Sequence, residues 1–238
     1  MVRGLNRRSF IASAAAATGA LTLPARLAAR PMTVGADGAR ILDVARREVA
    51  RAGNALWRRD IAGIADFGLR SSLPRFLVAN LEAGTVKSYL VTHGSGSDPE
   101  HDGWLNFFSN VHESWCTSKG AYMTFGWYTG KYGTSIRLEG RDPTNSNALD
   151  RAIVMHRASY CEPAHLAQYG KLGRSNGCFA MSDEDFQLAL LRLAGGRLLF
   201  ADKIGIGANG EQVIESPKDL QLLIPEGVPR PPVNPGVY

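Results

Sequence analysis

The spacing of apolar residues changes near residue 75, from a helical period to a period of two. Over 39–57 the apolar residues recur at helical spacing, which predicts an amphipathic helix weakened by Gly53. From residue 75 the period becomes two, and the segments 75–81 and 86–92, joined by a short connection, predict a β-hairpin. Further strands are predicted at 122–127, 135–138, 152–156 and 197–201, and a helix follows Ser182 and ends at Gly195. This order predicts a mainly β (α+β) domain with peripheral helices, because parallel βαβ units would need more helices between strands.

The chain divides into four predicted segments. Residues 1–29 form an export signal, 30–70 a helical extension, 71–203 the strand-bearing domain, and 204–238 a C-terminal strap. The strap is expected to be extended, because six of the twelve prolines lie beyond residue 215. With 45% apolar and 21% charged residues, the chain is not of the disordered class.

The first segment carries most of the net charge of +5. It contains no acid and four arginines: Arg3, Arg7, Arg8 and Arg26. Without these four, 23 basic residues face 22 acidic ones, so the remainder has no bias toward nucleic acid. The arginine pair before an Ala-rich apolar stretch is typical of a twin-arginine signal; an ordinary secretory signal or an uncleaved anchor are the alternatives. No other stretch approaches the roughly 18 apolar residues of a spanning helix, so we expect a periplasmic protein with no membrane span after signal removal.

Cys178 is the candidate nucleophile. It follows the small and turn-forming residues of 173–177 and precedes the helix capped at Ser182. Such a turn exposes a sulfur and directs successive backbone N–H groups toward one point, as an oxyanion hole requires. His156, at the end of an apolar strand, is the candidate base. By themselves, these two residues are also compatible with a buried thiol and a hydrogen-bonded structural histidine.

His156 and Ser175–Cys178 resemble the catalytic signature of bacterial L,D-transpeptidases, the YkuD-like cysteine enzymes of cell-wall peptidoglycan. The resemblance covers roughly residues 60–203 and includes the blocks 75–78, 92–96, 108–110, 118–122, 132–133 and 151–156. It implies a YkuD-like β-sandwich with peripheral helices, with the catalytic domain over 71–203. This sequence departs from the family pattern at Arg157, where glycine is usual, and at Phe179, where proline is common. Arg157 is expected to narrow the cleft or to add a carboxylate contact.

The resemblance also implies a mechanism. His156 generates the Cys178 thiolate, which attacks a donor stem-peptide carbonyl, while N–H groups of the turn hold the oxyanion; the turn comprises Ser175, Asn176, Gly177 and Cys178. A diaminopimelate amine of an acceptor stem resolves the thioester and gives a 3-3 or 1-3 cross-link. β-Lactams of the carbapenem class are expected to form an adduct at Cys178. An L,D-carboxypeptidase or amidase, and a catalytically inactive peptidoglycan-binding scaffold, are the alternatives.

Four residues are candidates for substrate binding: Arg174, Arg157, Tyr132 and His93. The two arginines could pair with stem-peptide carboxylates, or form ordinary surface salt bridges. Tyr132 belongs to an aromatic cluster that could line the donor groove or simply pack. His93 begins a long polar loop, 93–119, which is expected to cover the cleft.

No metal or cofactor is predicted. The histidines and acids of loop 93–119 match no zinc spacing, and the glycine-rich segment 205–210 lacks the helix that a dinucleotide-binding loop needs. Cys116 and Cys161 either form a late disulfide or remain two separate buried thiols.

Overall fold

The computed structural model describes residues 31–32 and 36–206. This part of the chain forms nine β-strands and three α-helices, with short 3-10 turns between them. The strands are β1 (Pro31–Met32), β2 (Ile61–Asp66), β3 (Phe76–Asn80), β4 (Thr85–Tyr89), β5 (Gly120–Gly130), β6 (Gly133–Gly140), β7 (Val154–Arg157), β8 (Phe179–Met181) and β9 (Leu198–Asp202). The helices are α1 (Ala36–Ala52), α2 (Pro163–Tyr169) and α3 (Asp183–Leu193). The predicted export signal lies outside the described residues, as does the predicted strap except for 204–206.

One sheet with the strand order β1-β4-β3-β2-β9-β5-β6-β7-β8 carries the fold. One core cluster joins Phe76 and Val78 of β3 to Met155 of β7 and Phe179 of β8, which shows that the sheet is curled. The alternate residues of β3 point to the other face, where they pack with the apolar side of α1 in a second cluster. The mainly β fold with peripheral helices is therefore confirmed. None of the helices in the described part of the chain is long and apolar enough to cross a membrane.

The hairpin and the later strands lie where the hydrophobic period predicts them, but β1, β2 and β8 were not predicted. All six residues of β2 are buried, because the strand lies between β3 and β9 with a core cluster on each face. A strand buried on both faces shows no alternation. Strand β8 has only three residues, too few to show a period.

The structure corrects the prediction that the sheet lacks parallel βαβ units. Strand β7, helix α2 and strand β8 follow one another, and β7 pairs with β8 in parallel. Helix α2 has only seven residues and buries none of them fully, so it leaves no apolar stripe in the sequence. This short unit forms the site described next.

Candidate active site

The parallel pairing of β7 and β8 brings the two predicted catalytic residues together. Met155 pairs with Phe179 and His156 with Ala180, so Cys178, one residue before β8, is level with Val154. Since Met155 and Phe179 point into the core, His156 and Cys178 lie on the opposite face of the sheet. Strand spacing and rise place their Cα atoms about 8 Å apart, within reach of two side chains.

His156 is held in one orientation and one tautomer. Its Nδ1 lies 2.9 Å from the carbonyl oxygen of Arg157. Because a carbonyl only accepts, Nδ1 carries the hydrogen and Nε2 keeps a lone pair. The ring of Tyr132 stacks on the imidazole, with 4.6 Å between centroids and 22° between planes. Burial lowers the pKa of His156, which is 3% exposed, so the imidazole is neutral at pH 7.

Cys178 is a neutral thiol in this site. It is 8% exposed, and burial raises its pKa to about 11, against the opposing effects of the Val154 N–H and the Arg151 charge. Its Sγ lies 3.8 Å from the carbonyl oxygen of Ala152. Ala152 has a φ of +53°, a left-handed conformation that alanine rarely adopts. The resting pair is thus thiol and imidazole, not thiolate and imidazolium.

Side-chain and backbone hydrogen bonds inside the turn fix the nucleophile. Ser175 Oγ donates to the Cys178 carbonyl at 2.6 Å and accepts from the Gly177 N–H at 3.2 Å. The predicted oxyanion hole changes accordingly, because the Gly177 N–H already donates to Ser175 Oγ within the turn. Gly177 has a φ of +109°, and a Cβ there would lie 2.6 Å from the Cys116 carbonyl oxygen. Only glycine fits this position without strain.

Loop 93–119 supports this turn. Ser175 donates its N–H to the His93 carbonyl at 2.9 Å, and Ser95 donates to the Ser175 carbonyl at 2.7 Å. Thr117 Oγ1 accepts from the Gly94 N–H at 2.9 Å and donates to the Gly177 carbonyl at 3.4 Å. Among the described residues, none from the loop lines the cavity beside His156. The loop thus braces the nucleophile turn, and its expected role as a cover over the cleft stays a prediction.

The structure does not place His93 in the substrate cleft, contrary to the prediction. Its side chain is 1% exposed and lies between two fully buried charges. Arg75 Nη2 donates to Nδ1 at 2.7 Å, and Nε2 lies 3.2 Å from Asp98 Oδ2. Burial, together with the charge of Arg75, lowers the pKa of His93 to about 4. His93 is a neutral link in a buried network at the start of the loop.

The two arginines predicted to bind carboxylates differ in their surroundings. Arg174 Nη1 donates to the backbone carbonyls of Asp98 and Pro99, so this guanidinium holds the loop. Arg157 is exposed, and its Nη1 lies 3.0 Å from Asp183 Oδ1. Of these two, only Arg157 faces the cavity.

A cavity of about 480 Å³ opens beside His156. Charged and aromatic side chains line much of it: Lys131, Tyr132, His156, Arg157, Tyr160, Glu162 and Asp183. Sequence reasoning missed four of these lining residues, because none of them lies in a recognisable functional motif: Lys131, Tyr160, Glu162 and Asp183. Cys178 lies next to this cavity rather than on its wall, since the diagonal position across β7 and β8 puts His156 between them.

The other two thiols are separate. Cys116 and Cys161 are free and fully buried, which agrees with the alternative of two unlinked thiols. Among residues 31–32 and 36–206, no group of three His, Cys, Asp or Glu side chains is arranged to hold a metal ion.

Comparison with known proteins identifies the family. The family model described as the L,D-transpeptidase catalytic domain matches residues 40–201. No curated protein matches the sequence. Similar solved structures include an L,D-transpeptidase from Mycobacterium smegmatis, which is 12% identical with a TM-score of 0.38 and a match covering 60% of this chain and 58% of that one.

Two further structures are similar. L,D-transpeptidase 3 from Mycobacterium tuberculosis, in complex with a faropenem-derived adduct, is 15% identical with a TM-score of 0.38, and the match covers 60% of each chain. The helical cell shape determining protein Pgp2 from Campylobacter jejuni is 13% identical with a TM-score of 0.39, and the match covers 78% of this chain and 60% of that one. This chain thus spans about three fifths of the length of the structures that it matches. Because the family model extends from α1 to β9 and includes both His156 and Cys178, the chain belongs to the L,D-transpeptidase catalytic-domain family.

Proposed function

We propose that this protein is a periplasmic peptidoglycan L,D-transpeptidase that uses Cys178 as nucleophile and His156 as general base. The observation that carries the proposal is the β7–β8 pairing, which sets an imidazole with a fixed Nδ1–H tautomer diagonally across from a thiol. This is the arrangement that nucleophilic cysteine catalysis requires. The arginine pair of the leader supports export by the twin-arginine route.

In the first half-reaction, substrate binding must convert a neutral pair into a reactive one. The thiol rotates from the Ala152 carbonyl toward His156, and Nε2 accepts its proton. The thiolate attacks the carbonyl carbon of the donor stem, and a C–S bond forms while the negative charge moves to the carbonyl oxygen. N–H groups of the Cys178 turn stabilise this oxyanion. On collapse the C–N bond breaks, the imidazolium gives its proton to the leaving amine, and a thioester remains.

In the second half-reaction, the same imidazole works in reverse. An acceptor amine, expected from diaminopimelate, gives a proton to His156 as it attacks the thioester. The C–S bond breaks, the new amide forms, and the thiolate recovers its proton. If water replaces the amine, the product is a shortened stem, and the enzyme is an L,D-carboxypeptidase or amidase.

The cavity suits a stem peptide, which carries both carboxylates and amines. Arg157 and Lys131 supply positive charge, while Asp183 and Glu162 supply negative charge around one opening. The Arg157–Asp183 ion pair is exposed to solvent. Each side chain can therefore leave the other and pair with a charged group of a bound stem at little desolvation cost. A β-lactam adduct at Cys178 is part of the proposal, because one similar L,D-transpeptidase is known with a faropenem-derived adduct.

Purified disaccharide-tetrapeptides test the proposed reaction. The mature protein should convert them to cross-linked dimers, identified by mass spectrometry, and Cys178→Ala should form none. Cys161→Ala is the matched control, because it removes a fully buried thiol that neither lines the cavity nor belongs to the Cys178 turn. Shortened monomers without dimers would instead support the hydrolase. Binding without any product would support the inactive scaffold.

A further inference from the structure

We propose that Arg151 is a positioning residue for the nucleophile: its guanidinium anchors the backbone under the Cys178 turn and places a positive charge near the sulfur. The inference rests on the proposed role of Cys178. The functional assignments above give Arg151 no part in the reaction.

The side chain of Arg151 is fixed by four hydrogen bonds. Nη1 donates to the Ser109 carbonyl at 2.9 Å and to Ser118 Oγ at 2.6 Å. Nη2 donates to Ser114 Oγ at 3.3 Å and to the Cys116 carbonyl at 2.6 Å. All four acceptors are neutral oxygens, so these contacts hold the guanidinium without cancelling its charge.

The same guanidinium lies against the nucleophile turn. A Cβ on Gly177 would be 3.3 Å from Arg151 Nη2 and 2.6 Å from the Cys116 carbonyl oxygen that Nη2 binds. The Cys116 carbonyl, which lies against Gly177 of the turn, is therefore the one that Arg151 binds. Gly177 immediately precedes Cys178, which brings the positive charge to the site where a thiolate must form.

The positive charge of Arg151 matters for the reaction because Cys178 and His156 are both neutral at rest. Burial raises the pKa of Cys178 far above that of a free thiol, and burial also weakens His156 as a base. A thiolate formed here needs stabilising contacts, and the Val154 N–H together with Arg151 oppose the effect of burial on the Cys178 pKa. Arg151 is itself half-buried, where a charge is screened less than at the surface.

Alkylation of Cys178 by iodoacetamide tests this inference without any peptidoglycan substrate. Rates are measured between pH 7 and 9.5 by mass spectrometry of the Cys178 peptide in wild type, Arg151→Gln and Arg151→Lys. Arg141→Gln is the matched control, because Arg141 is paired with Glu139 at 3.1 Å. Thermal melting of each protein is recorded in parallel.

The expected result is an alkylation rate about tenfold lower in Arg151→Gln at every pH, which corresponds to a rise of about one unit in the thiol pKa. Arg151→Lys, which keeps the charge, should stay within about threefold of wild type even if it melts lower. Wild-type rates in Arg151→Gln would overturn the inference. If Arg151→Gln does not fold, Arg151→Lys decides: an alkylation rate that falls by more than threefold, together with the melting temperature, would overturn the role assigned to the charge. Because the readout needs no substrate, absence of cross-linking activity would refute the proposed function and leave this result independent.

Discussion

Gly177→Ala is the substitution whose effect the structure defines most closely. The new Cβ would stand 2.6 Å from the Cys116 carbonyl oxygen, about 0.8 Å inside the 3.4 Å at which ordinary contact begins. The obstacle is backbone, which Arg151 holds by a hydrogen bond of 2.6 Å, so it cannot move aside as a flexible side chain would. The turn itself must therefore shift, and Cys178 with it.

The magnitude follows from two separate effects. A residue other than glycine at a φ of +109° is strained by about 1–3 kcal/mol. Forcing a methyl group into an occupied space adds about 1–3 kcal/mol. Gly195→Ala is the matched control, because its φ is +90° and nothing lies within 4 Å of the new Cβ. The free energy of unfolding should thus fall by about 2 kcal/mol in Gly195→Ala, from strain alone, and by about 4 kcal/mol in Gly177→Ala.

Thermal and urea unfolding, followed by circular dichroism, measure both variants. At about 2–4 °C per kcal/mol for a domain of this size, Tm should fall by about 5 °C in Gly195→Ala and about 10 °C in Gly177→Ala. Cys178 alkylation should change only in Gly177→Ala. Equal melting of the two variants with unchanged Cys178 reactivity would refute the reasoning that the loop fixes the turn.

Three other predictions follow from the site. In wild type, a thiol pKa of about 11 predicts that Cys178 alkylation rises about tenfold per unit from pH 7 to 10, whereas a plateau between pH 6 and 8 would indicate a preformed thiolate. His93 has a pKa of about 4 in the folded state, so as the pH falls its imidazole is protonated first in the unfolded state. The contribution to the free energy of unfolding that is present above pH 6.5 is therefore lost as the pH falls toward 4. His93→Gln can keep both hydrogen bonds without titrating, so urea melts should show wild type losing about 3 kcal/mol more than this variant over that interval, and parallel losses would contradict the network. Tyr132→Ala should lower kcat for cross-linking about tenfold with little change in Tm, while Tyr132→Phe retains the stacking and the rate; equal rates in all three proteins would remove the ring from the mechanism.

The sequence was sufficient for features that depend on local patterns. The period of two located the β3–β4 hairpin, and Ser182 caps α3 as predicted, accepting from the Asp185 N–H at 3.2 Å. Cys178 and His156 were predicted from motif spacing and a family resemblance, and the fold sets them side by side. The hairpin and the cap survive folding because neighbouring residues already determine them, whereas the closeness of His156 and Cys178 comes from the β7–β8 pairing.

Features that depend on distant partners could not be predicted. His93 looked like a cleft residue, but the side chains that bury it, Arg75 and Asp98, are brought together only by the fold. The contact between the Cys116 carbonyl and Gly177 joins segments about sixty residues apart, so the bracing role of loop 93–119 leaves no local signal. Arg174 was predicted to bind substrate because a sequence shows charge but not the carbonyls that surround it.

The most direct test of the central claim is to locate the acyl group during turnover. The mature protein is incubated with a disaccharide-tetrapeptide, quenched in acid, and analysed by intact mass and peptide mapping. One acyl group is expected on Cys178, removed by hydroxylamine as a thioester would be and absent from Cys178→Ala. An acyl group on another residue, or cross-linked dimers formed by Cys178→Ala, would contradict it.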